Sequence, residues 1–315
     1  MSTMSETQIE QIVRAYKAKK ITGDMLDAKD GIERMLSHQS VPGLPMPWSW
    51  LDGKFAIRPG ELTLLAGANG SGKSMLAGQI VAWQMAAGVT SVIASMEMSV
   101  QETLKRMVCQ CYGGQYTTDF ARWFGDTYRE TLWIWDVQDV VPADKVLERV
   151  EAVSEYLDAK IVVIDSLLKC GLAQDGEGYL SKQTQFLDRL QHAAKHLGVH
   201  VILVVHLRKP ERGQKSGKYD IRGASQISDL ADNVLLIHQN AEKREAEQLM
   251  EQGQQLTPMQ TEALSKADAI LEVAKQRHGA WEGQLRLDFD SHSLLFTQAG
   301  DMRRLAWPGS QGAPL

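Results

Sequence analysis

Residues 67–74 read Gly-Ala-Asn-Gly-Ser-Gly-Lys-Ser and complete the pattern G-x-x-x-x-G-K-[ST]. An apolar segment at 61–66 predicts a strand before this loop, and 75–87 predicts a helix after it. The glycines let backbone N–H groups surround a phosphate at the start of that helix. A chance glycine-rich turn is the alternative, but strand, loop and helix stand in the required order. We therefore expect ATP or another nucleoside triphosphate to bind Gly67, Asn69, Gly70, Ser71, Gly72, Lys73 and Ser74.

The same pattern assigns chemistry to two of these side chains. Lys73 reaches the β- and γ-phosphates, and the hydroxyl of Ser74 ligates Mg²⁺. A second Mg²⁺ ligand is expected at Asp165, because this carboxylate ends the apolar segment 161–164 and ligands bind at the carboxyl edge of parallel sheets. Asp165 could instead only cap the turn that follows it.

The length and composition limit the class of protein. A chain of 315 residues with 43% hydrophobic residues predicts one large domain, or a domain with a small appendage. The net charge of −5 argues against a surface coated with nucleic acid, but not against a protein that encircles DNA with a local basic lining. Three cysteines without C-x-x-C spacing predict neither a zinc site nor a disulfide framework. We expect no signal peptide and no membrane span.

Apolar strand candidates alternate with helical stretches from Trp48 onward. The predicted strands are 62–66, 91–95, 132–135, 161–164, 199–205 and 233–238, and the predicted helices are 74–87, 99–113, 143–157 and 181–197. Such continuous apolar strands indicate a parallel sheet that is covered on both faces. Beyond about residue 270, three closely spaced strands (270–276, 284–290 and 293–297) indicate an antiparallel meander.

Two segments stand apart from this alternation. The N-terminal segment carries an apolar stripe at helical spacing, formed by Ile9, Ile12, Val13 and Tyr16, and a second helix predicted after Thr22. Residues 40–47 have three prolines and predict a linker. We expect 1–44 to be a helical arm and linker that docks on the body or on a neighbouring subunit, 45–300 the main domain and 301–315 a tail. The acidic segment 241–268 predicts an inserted helical hairpin, broken near Thr257.

Two polar residues follow further predicted strands at the same sheet edge. Glu97 comes directly after 91–95 and is a candidate general base for an attacking water. It could also begin the next helix, where a carboxylate suits the helix dipole. His206 ends the strand at 199–205 and could sense a γ-phosphate, although a terminal histidine is often only structural. His200, at the other end of that strand, is assigned no role.

Cations are concentrated in two places. Residues 207–222 carry six positive and two negative charges, which suits contacts to a nucleic-acid backbone but also suits a solvated loop. The candidate DNA-binding residues are Arg208, Lys209, Arg212, Lys215, Lys218 and Arg222. Near the C-terminus, Lys275 and Arg277 alternate on one strand, so both can reach the same phosphate oxygens.

The order of these motifs resembles the RecA-like ring helicases of the DnaB and Twinkle type, which include phage replicative helicases. The resemblance covers about residues 45–300. Its motifs are the phosphate loop, S-x-E-M-S at 95–99, the strand that ends at Asp165, the D-[IL]-x-G-S…A-D-N stretch at 220–233, and K-x-R at 275–277. The chain departs from the family at Asp229, where many members have glutamine.

The resemblance implies an α/β, RecA-like P-loop NTPase. The segments predicted above give it a mostly parallel central sheet, antiparallel C-terminal strands and an N-terminal helical arm. It implies that Glu97 is the catalytic base and that His206 senses the phosphate. Lys275 and Arg277 would reach the nucleotide of a neighbouring subunit. The basic loop would contact single-stranded DNA.

The implied function is an ATP-dependent replicative DNA helicase that forms a ring, a hexamer, in the cytoplasm of a bacterium or a phage-infected cell. A separate primase or loader would act with it. Two other functions stay open. A RecA-like recombination or repair ATPase would form filaments without unwinding, and a helicase-loading ATPase would bind a helicase and unwind nothing.

Overall fold

The computed structural model describes residues 10, 14, 26–37, 42–172, 178–207, 217–221 and 226–300. The chain divides into two compact units, residues 1–42 and 43–315. In the first unit, helix α1 spans Ala28–Ser37, and the side chain of Asp27 accepts a hydrogen bond from the backbone N–H of Asp30 at 2.9 Å. No residue of α1 is buried. The predicted apolar stripe at 9–16, the cap at Thr22 and the tail at 301–315 lie outside the described residues.

The second unit contains a two-stranded sheet, formed by β1 Leu44–Pro45 and β2 Ala56–Ile57, and a nine-stranded sheet. The order of strands in the larger sheet is β11-β10-β9-β8-β3-β7-β6-β4-β5. Its strands are β3 Leu62–Gly67, β4 Ser91–Ser95, β5 Leu132–Trp135, β6 Ile161–Asp165, β7 His200–His206, β8 Asn233–Gln239, β9 Ala269–Gln276, β10 Gly283–Asp290 and β11 Leu295–Gln298. The six strands from β8 to β5 are parallel, and β9, β10 and β11 are antiparallel. The predicted α/β fold with a mostly parallel sheet is therefore confirmed.

Helices cover both faces of this sheet. They are α2 Lys73–Ala86, α3 Val100–Tyr112, α4 Thr118–Tyr128, α5 Ala143–Leu157, α6 Tyr179–Leu197, α7 Gln226–Leu230, α8 Ala241–Glu251 and α9 Pro258–Leu264. Alternate strand residues pack on opposite sides, because successive side chains of a strand point to opposite faces. Ile93 joins the core that includes α2, α3 and α4, and Val92 joins the core that includes α5 and α6. No helix among the described residues is both long enough and apolar enough to cross a membrane.

Two local predictions differ from the structure. Helix α4 was not predicted, although Thr117 caps it and Phe120, Phe124 and Tyr128 give it a buried stripe at helical spacing. The predicted linker at 40–47 contains strand β1, Leu44–Pro45, which pairs with β2, Ala56–Ile57. Strand β1 is held in place because Trp48, which follows it closely, is buried and donates its indole N–H to the carbonyl oxygen of Phe296 at 2.8 Å. Burial of this large side chain therefore outweighs the proline-rich composition that predicted a linker.

The insertion at 241–268 consists of α8 and α9. Asn240 caps α8 by accepting from the backbone N–H of Lys243 at 3.1 Å. The side chain of Thr257 caps α9, which begins at Pro258, where the break was predicted. Because β8 ends and β9 begins at the carboxyl edge of the parallel strands, this hairpin lies at the same edge as the glycine-rich loop.

Candidate nucleotide-binding site

The glycine-rich loop connects β3 to α2. Gly70 and Gly72 have positive φ angles of 72° and 88°, a conformation that side chains rarely adopt. A Cβ atom at Gly72 would also lie 2.7 Å from the ring of Phe296. Helix α2 begins at Lys73, directly after this turn, so its first backbone N–H groups point into the loop. The sequence pattern therefore folds into a concave nest of N–H donors that suits an anion.

Lys73 lies inside this nest. Its ammonium group donates hydrogen bonds to the carbonyl oxygens of Gly67 at 3.0 Å and Ala68 at 2.8 Å. Burial lowers the pKa of Lys73, and the nearby carboxylates of Asp165 and Glu97 oppose this effect. The cation is thus held over the loop where a phosphate oxygen would replace the two carbonyl groups as its partner.

The strand order assembles the other polar groups beside the loop. Strand β7 lies between β3 and β6, and β4 lies beyond β6. His206 at the end of β7 is therefore placed between the loop and the two carboxylates, Asp165 at the end of β6 and Glu97 after β4. Because these strands are parallel, all four carboxyl ends meet at one edge of the sheet.

At this edge of the sheet, side-chain hydrogen bonds connect the glycine-rich loop to the carboxylate of Glu97. The imidazole Nδ1 of His206 lies 2.6 Å from Oδ1 of Asn69, and Nε2 lies 3.4 Å from a carboxylate oxygen of Glu97. The hydroxyl of Ser166 donates to the same oxygen of Glu97. The hydrogen bond with His206 lowers the pKa of Glu97 to about 2, helped by Ser166 and by the charge of Lys73 and opposed by burial. Glu97 is therefore ionised at neutral pH.

Glu97 does not begin a helix, so that alternative is wrong. Helix α3 starts at Val100, and the side chain of Ser99 caps it by accepting from the backbone N–H of Glu102 at 3.2 Å. Ser95 stabilises the turn before the helix, because its hydroxyl lies 2.8 Å from that of Thr103. The turn at 96–98 thereby projects Glu97 toward the sheet edge.

Asp165 suits a bound cation. Its side chain is 4% exposed, and one carboxylate oxygen, Oδ1, has no hydrogen-bond partner among the described residues. Burial raises the pKa of Asp165, and a hydrogen bond from Ser74 opposes the rise. A buried carboxylate oxygen without a partner is costly. Carboxylate and hydroxyl oxygens are also the ligands that Mg²⁺ accepts, so the residues present fit this ion.

Lys275 and Arg277 lie at the other end of the strands. Asn233, at the start of β8, pairs with Thr63 near the start of β3 and with Gln276 near the end of β9, whereas Gly67 pairs with Ile237. The structure therefore does not bring this pair to the loop of its own subunit.

Both cations have partners within the subunit. The ammonium group of Lys275 donates to the carbonyl oxygens of Ser228, Asp229 and Ala231 at 2.8–2.9 Å. The guanidinium group of Arg277 lies 3.1 Å from Asp232.

Of the six candidate DNA-binding residues, only Lys218 lies among the described residues. Its ammonium group donates to the carbonyl oxygen of Ala274 at 3.2 Å and lies 5.7 Å from the ring of Tyr219. Lys218 is therefore held against β9, beside Lys275. Arg208, Lys209, Arg212, Lys215 and Arg222 lie outside the described residues.

Sequence reasoning missed the contacts of two polar residues, Ser166 and His200. Ser166 contacts Glu97, and its place beside Asp165 at a strand end could have indicated this. His200 was given no role, but its ring is buried between the carbonyl oxygen of Arg58 at 2.7 Å and the hydroxyl of Thr63 at 3.0 Å. Burial lowers the pKa of His200 to about 4, so the ring is neutral at pH 7.

The loop, the ionised carboxylate beside it and the sheet order define a P-loop NTPase domain of RecA-like architecture. The model of the family described as "AAA domain" matches residues 34–212, which is more than half of the chain. The chain belongs to this AAA domain family.

Two curated proteins are similar to this chain in sequence. The chain is 22% identical over 240 residues to a DNA helicase/primase of Enterobacteria phage T3, an alignment that covers 68% of this chain and 42% of that protein. It is 24% identical over 231 residues to a Twinkle homolog protein, chloroplastic/mitochondrial, of Arabidopsis thaliana, with 66% and 32% covered. The chain thus matches less than half the length of either relative.

Solved structures establish the fold. A DnaB-like replicative helicase, described with its interactions with primase, superimposes with a TM-score of 0.66 at 17% identity, covering 92% of this chain and 74% of that one. A second solved structure, described as an ATPase domain, superimposes with a TM-score of 0.64 at 16% identity, covering 94% and 99%. The resemblance to DnaB and Twinkle-type helicase domains is confirmed.

Proposed function

We propose that this chain is the ATP-hydrolysing motor of a ring-forming replicative DNA helicase. The observation that carries the proposal is the ionised Glu97 carboxylate, joined through His206 to Asn69 of the phosphate loop. A base so placed suits activation of a water next to a γ-phosphate. A domain that only bound nucleotide would have less need of a catalytic base. The relative from phage T3 is named a DNA helicase/primase, which supports the same activity for this chain.

Each group at the sheet edge has a distinct task in this proposal. The backbone of the loop and Lys73 hold the phosphates, and Glu97 accepts the proton of the attacking water. Asp165 and Ser74 would hold Mg²⁺, which neutralises charge on the phosphate oxygens when bound. His206 contacts both the loop and the base, so it can report the presence of the γ-phosphate to the segment that follows β7.

Arg277 completes the site of the neighbouring subunit, and Lys275 adds a second cation there when phosphate oxygens replace its three carbonyl partners. Both are at the end of the strands opposite their own loop, and 46% of the Arg277 side chain is exposed, so it is available to a second copy. An arginine supplied across an interface stabilises charge that develops on a transferred phosphoryl group. We therefore propose a ring with ATP between subunits, in the form of a hexamer.

The proposed track is single-stranded DNA. The basic residues of 208–222 would follow its phosphates, and a local basic lining is compatible with the overall negative charge. Because Lys218 is already bonded to Ala274, we expect the contacts to rest mainly on Arg208, Lys209, Arg212 and Lys215. Priming or loading would be the work of a separate partner.

A forked DNA with one labelled strand tests the proposal. We expect strand displacement that requires ATP and a single-stranded tail, with ATPase activity that rises on addition of single-stranded DNA. Glu97→Gln is the matched control, because it keeps the shape of the side chain and removes the base. Closed rings without strand displacement would favour a loading ATPase, and open filaments in negative-stain images would favour a recombinase.

We also propose how the N-terminal arm contributes to the ring. A pocket of about 460 Å³ opens between α3, α4 and β5. Its apolar lining includes Leu104, Val108, Tyr116, Phe124 and Tyr128. Helix α1 carries Ile32, Met35 and Leu36 at helical spacing, and all three side chains are more than half exposed. The occupant we propose for the pocket is this apolar face of α1 from a second copy.

Replacing Ile32 and Met35 together by aspartate should therefore weaken assembly. We expect a folded protein that binds ATP but dissociates into smaller species on dilution, since the substitutions lie on an exposed face and leave the nucleotide site intact. Light scattering over a dilution series measures this. Arg34→Asp, on the opposite face of α1, is the control and should keep the ring. A double variant that assembles like the parent would exclude this role of the arm.

A further inference from the structure

Asp232 occupies an unusual position for a carboxylate. Its side chain is 4% exposed, and it lies in the short connection between α7 and β8. Oδ2 accepts a hydrogen bond from the backbone N–H of Leu62 at 2.9 Å, and Oδ1 lies 3.1 Å from Nη1 of Arg277. The side-chain amide of Gln191 approaches both oxygens at 3.4 and 3.5 Å. A buried carboxylate is retained only where such partners compensate its desolvation.

The contact to Arg277 is reinforced by the backbone. The N–H of Arg277 donates to the carbonyl oxygen of Asp232 at 2.9 Å, so residue 277 is bonded to residue 232 through both main chain and side chain. A guanidinium group has five N–H donors in a planar fork. Binding one edge to Asp232 fixes the plane of the fork and leaves other donors at the exposed side of the group.

Asp232 also bonds Leu62, the first residue of β3. Asn233 strengthens this anchor, because its side-chain amide donates to the carboxylate of Glu61 at 2.8 Å and to the hydroxyl of Thr63 at 3.0 Å. Strand β3 starts at this anchor and ends at Gly67 in the phosphate loop. Asp232 and Asn233 thus connect the end of β9 to β3, the strand that leads into the phosphate loop.

We propose that Asp232 is the positioning residue of the Arg277 finger, and that it ties this finger to the strand bearing the subunit's own phosphate loop. The inference rests on the proposed function, in which Arg277 acts on the nucleotide of the neighbouring subunit. Asp232 touches neither nucleotide. It acts by holding the guanidinium group in the orientation that the neighbouring site requires.

Asp232→Asn tests the role. Asparagine keeps an oxygen for Leu62 but loses the negative charge that orients Arg277. We expect kcat of the ATPase to fall about tenfold with little change in KM for ATP, since a charge-assisted hydrogen bond that matters only in the transition state is weakened. In an Arg277→Ala background, the same substitution should lower kcat no further. Asp188→Asn, an exposed carboxylate on α6, is the control and should leave kcat unchanged.

Mixed rings separate a finger defect from damage to the subunit's own site. Asp232→Asn subunits keep Glu97, and Glu97→Gln subunits keep an intact Asp232 and Arg277. We expect the ATPase of a 1:1 mixture to exceed the sum of the two separate proteins, because some interfaces join a working base to a correctly held finger. A mixture of Arg277→Ala with Glu97→Gln subunits is the reference.

The outcomes distinguish the two proposals. If the Arg277→Ala mixture gains activity and the Asp232→Asn mixture does not, Asp232 serves its own subunit and the inference is wrong. If neither mixture gains activity although mixed rings form, the shared nucleotide site fails, and the role of Asp232 fails with it. Should Asp232→Asn not fold, Asp232→Glu takes its place, because it keeps the charge but displaces it by one methylene group.

Discussion

Replacing Glu97 by glutamine should abolish ATP hydrolysis while ATP still binds. The amide cannot accept the proton of the attacking water, so we expect the rate to fall by about 10²–10⁴-fold. Because glutamine keeps the shape and can still accept the hydrogen bond from Ser166, the loop should hold nucleotide with nearly unchanged affinity. Steady-state ATPase assays and calorimetric titration with ATP measure the two effects.

Lys73→Ala provides the contrast to Glu97→Gln. Its ammonium group is buried in the loop, so its loss should remove both hydrolysis and a charged partner of the phosphates. We expect nucleotide affinity to fall about 10–100-fold, as for the loss of a hydrogen bond to a charged group. Glu102→Gln, on the exposed side of α3, should change neither property. Normal hydrolysis by Glu97→Gln would remove it as the base.

Arg277→Ala should reduce ATP turnover by about 10³-fold, the low end of what an arginine finger contributes. The loop of the same subunit is at the other end of the strands, so nucleotide binding should be preserved. Activity should return in part when these subunits are mixed with Glu97→Gln subunits, since some interfaces then hold an intact base and an intact finger. Arg286→Ala, an exposed arginine on β10, is the control. Its mixture with Glu97→Gln subunits should show no gain over the sum of the separate activities.

Local sequence was sufficient for the elements that carry the loop and the two carboxylates. One apolar run ends at Asp165 and another ends shortly before Glu97, so both carboxylates are predicted at strand ends. Parallel strands bring such ends to one edge of the sheet. Helix α4 could also have been predicted, because Phe120, Phe124 and Tyr128 recur every four residues after its N-terminal cap. The polar residues on its exposed face, however, give the segment the composition of a loop.

The hydrogen bonds that join the site could not be derived in the same way. The bond between Leu62 and Asp232 connects positions 170 residues apart, and it exists because β8 lies next to β3 in the sheet. The contact of His206 with both Asn69 and Glu97 depends likewise on the place of β7 between β3 and β6. Periodicity and spacing predict which segments are strands, but they do not give the order of strands in the sheet.

Strand β3 has a further consequence for the symmetry of any assembly. Its six residues span about 20 Å. The phosphate loop lies at one end, and Asp232, which anchors Arg277, lies beside the other. If the two ends meet in adjacent copies, the contact is heterologous, with different surfaces facing each other. Such a head-to-tail contact repeats from copy to copy, and the rotation at each step alone decides whether the chain of subunits closes on itself or continues as a helix.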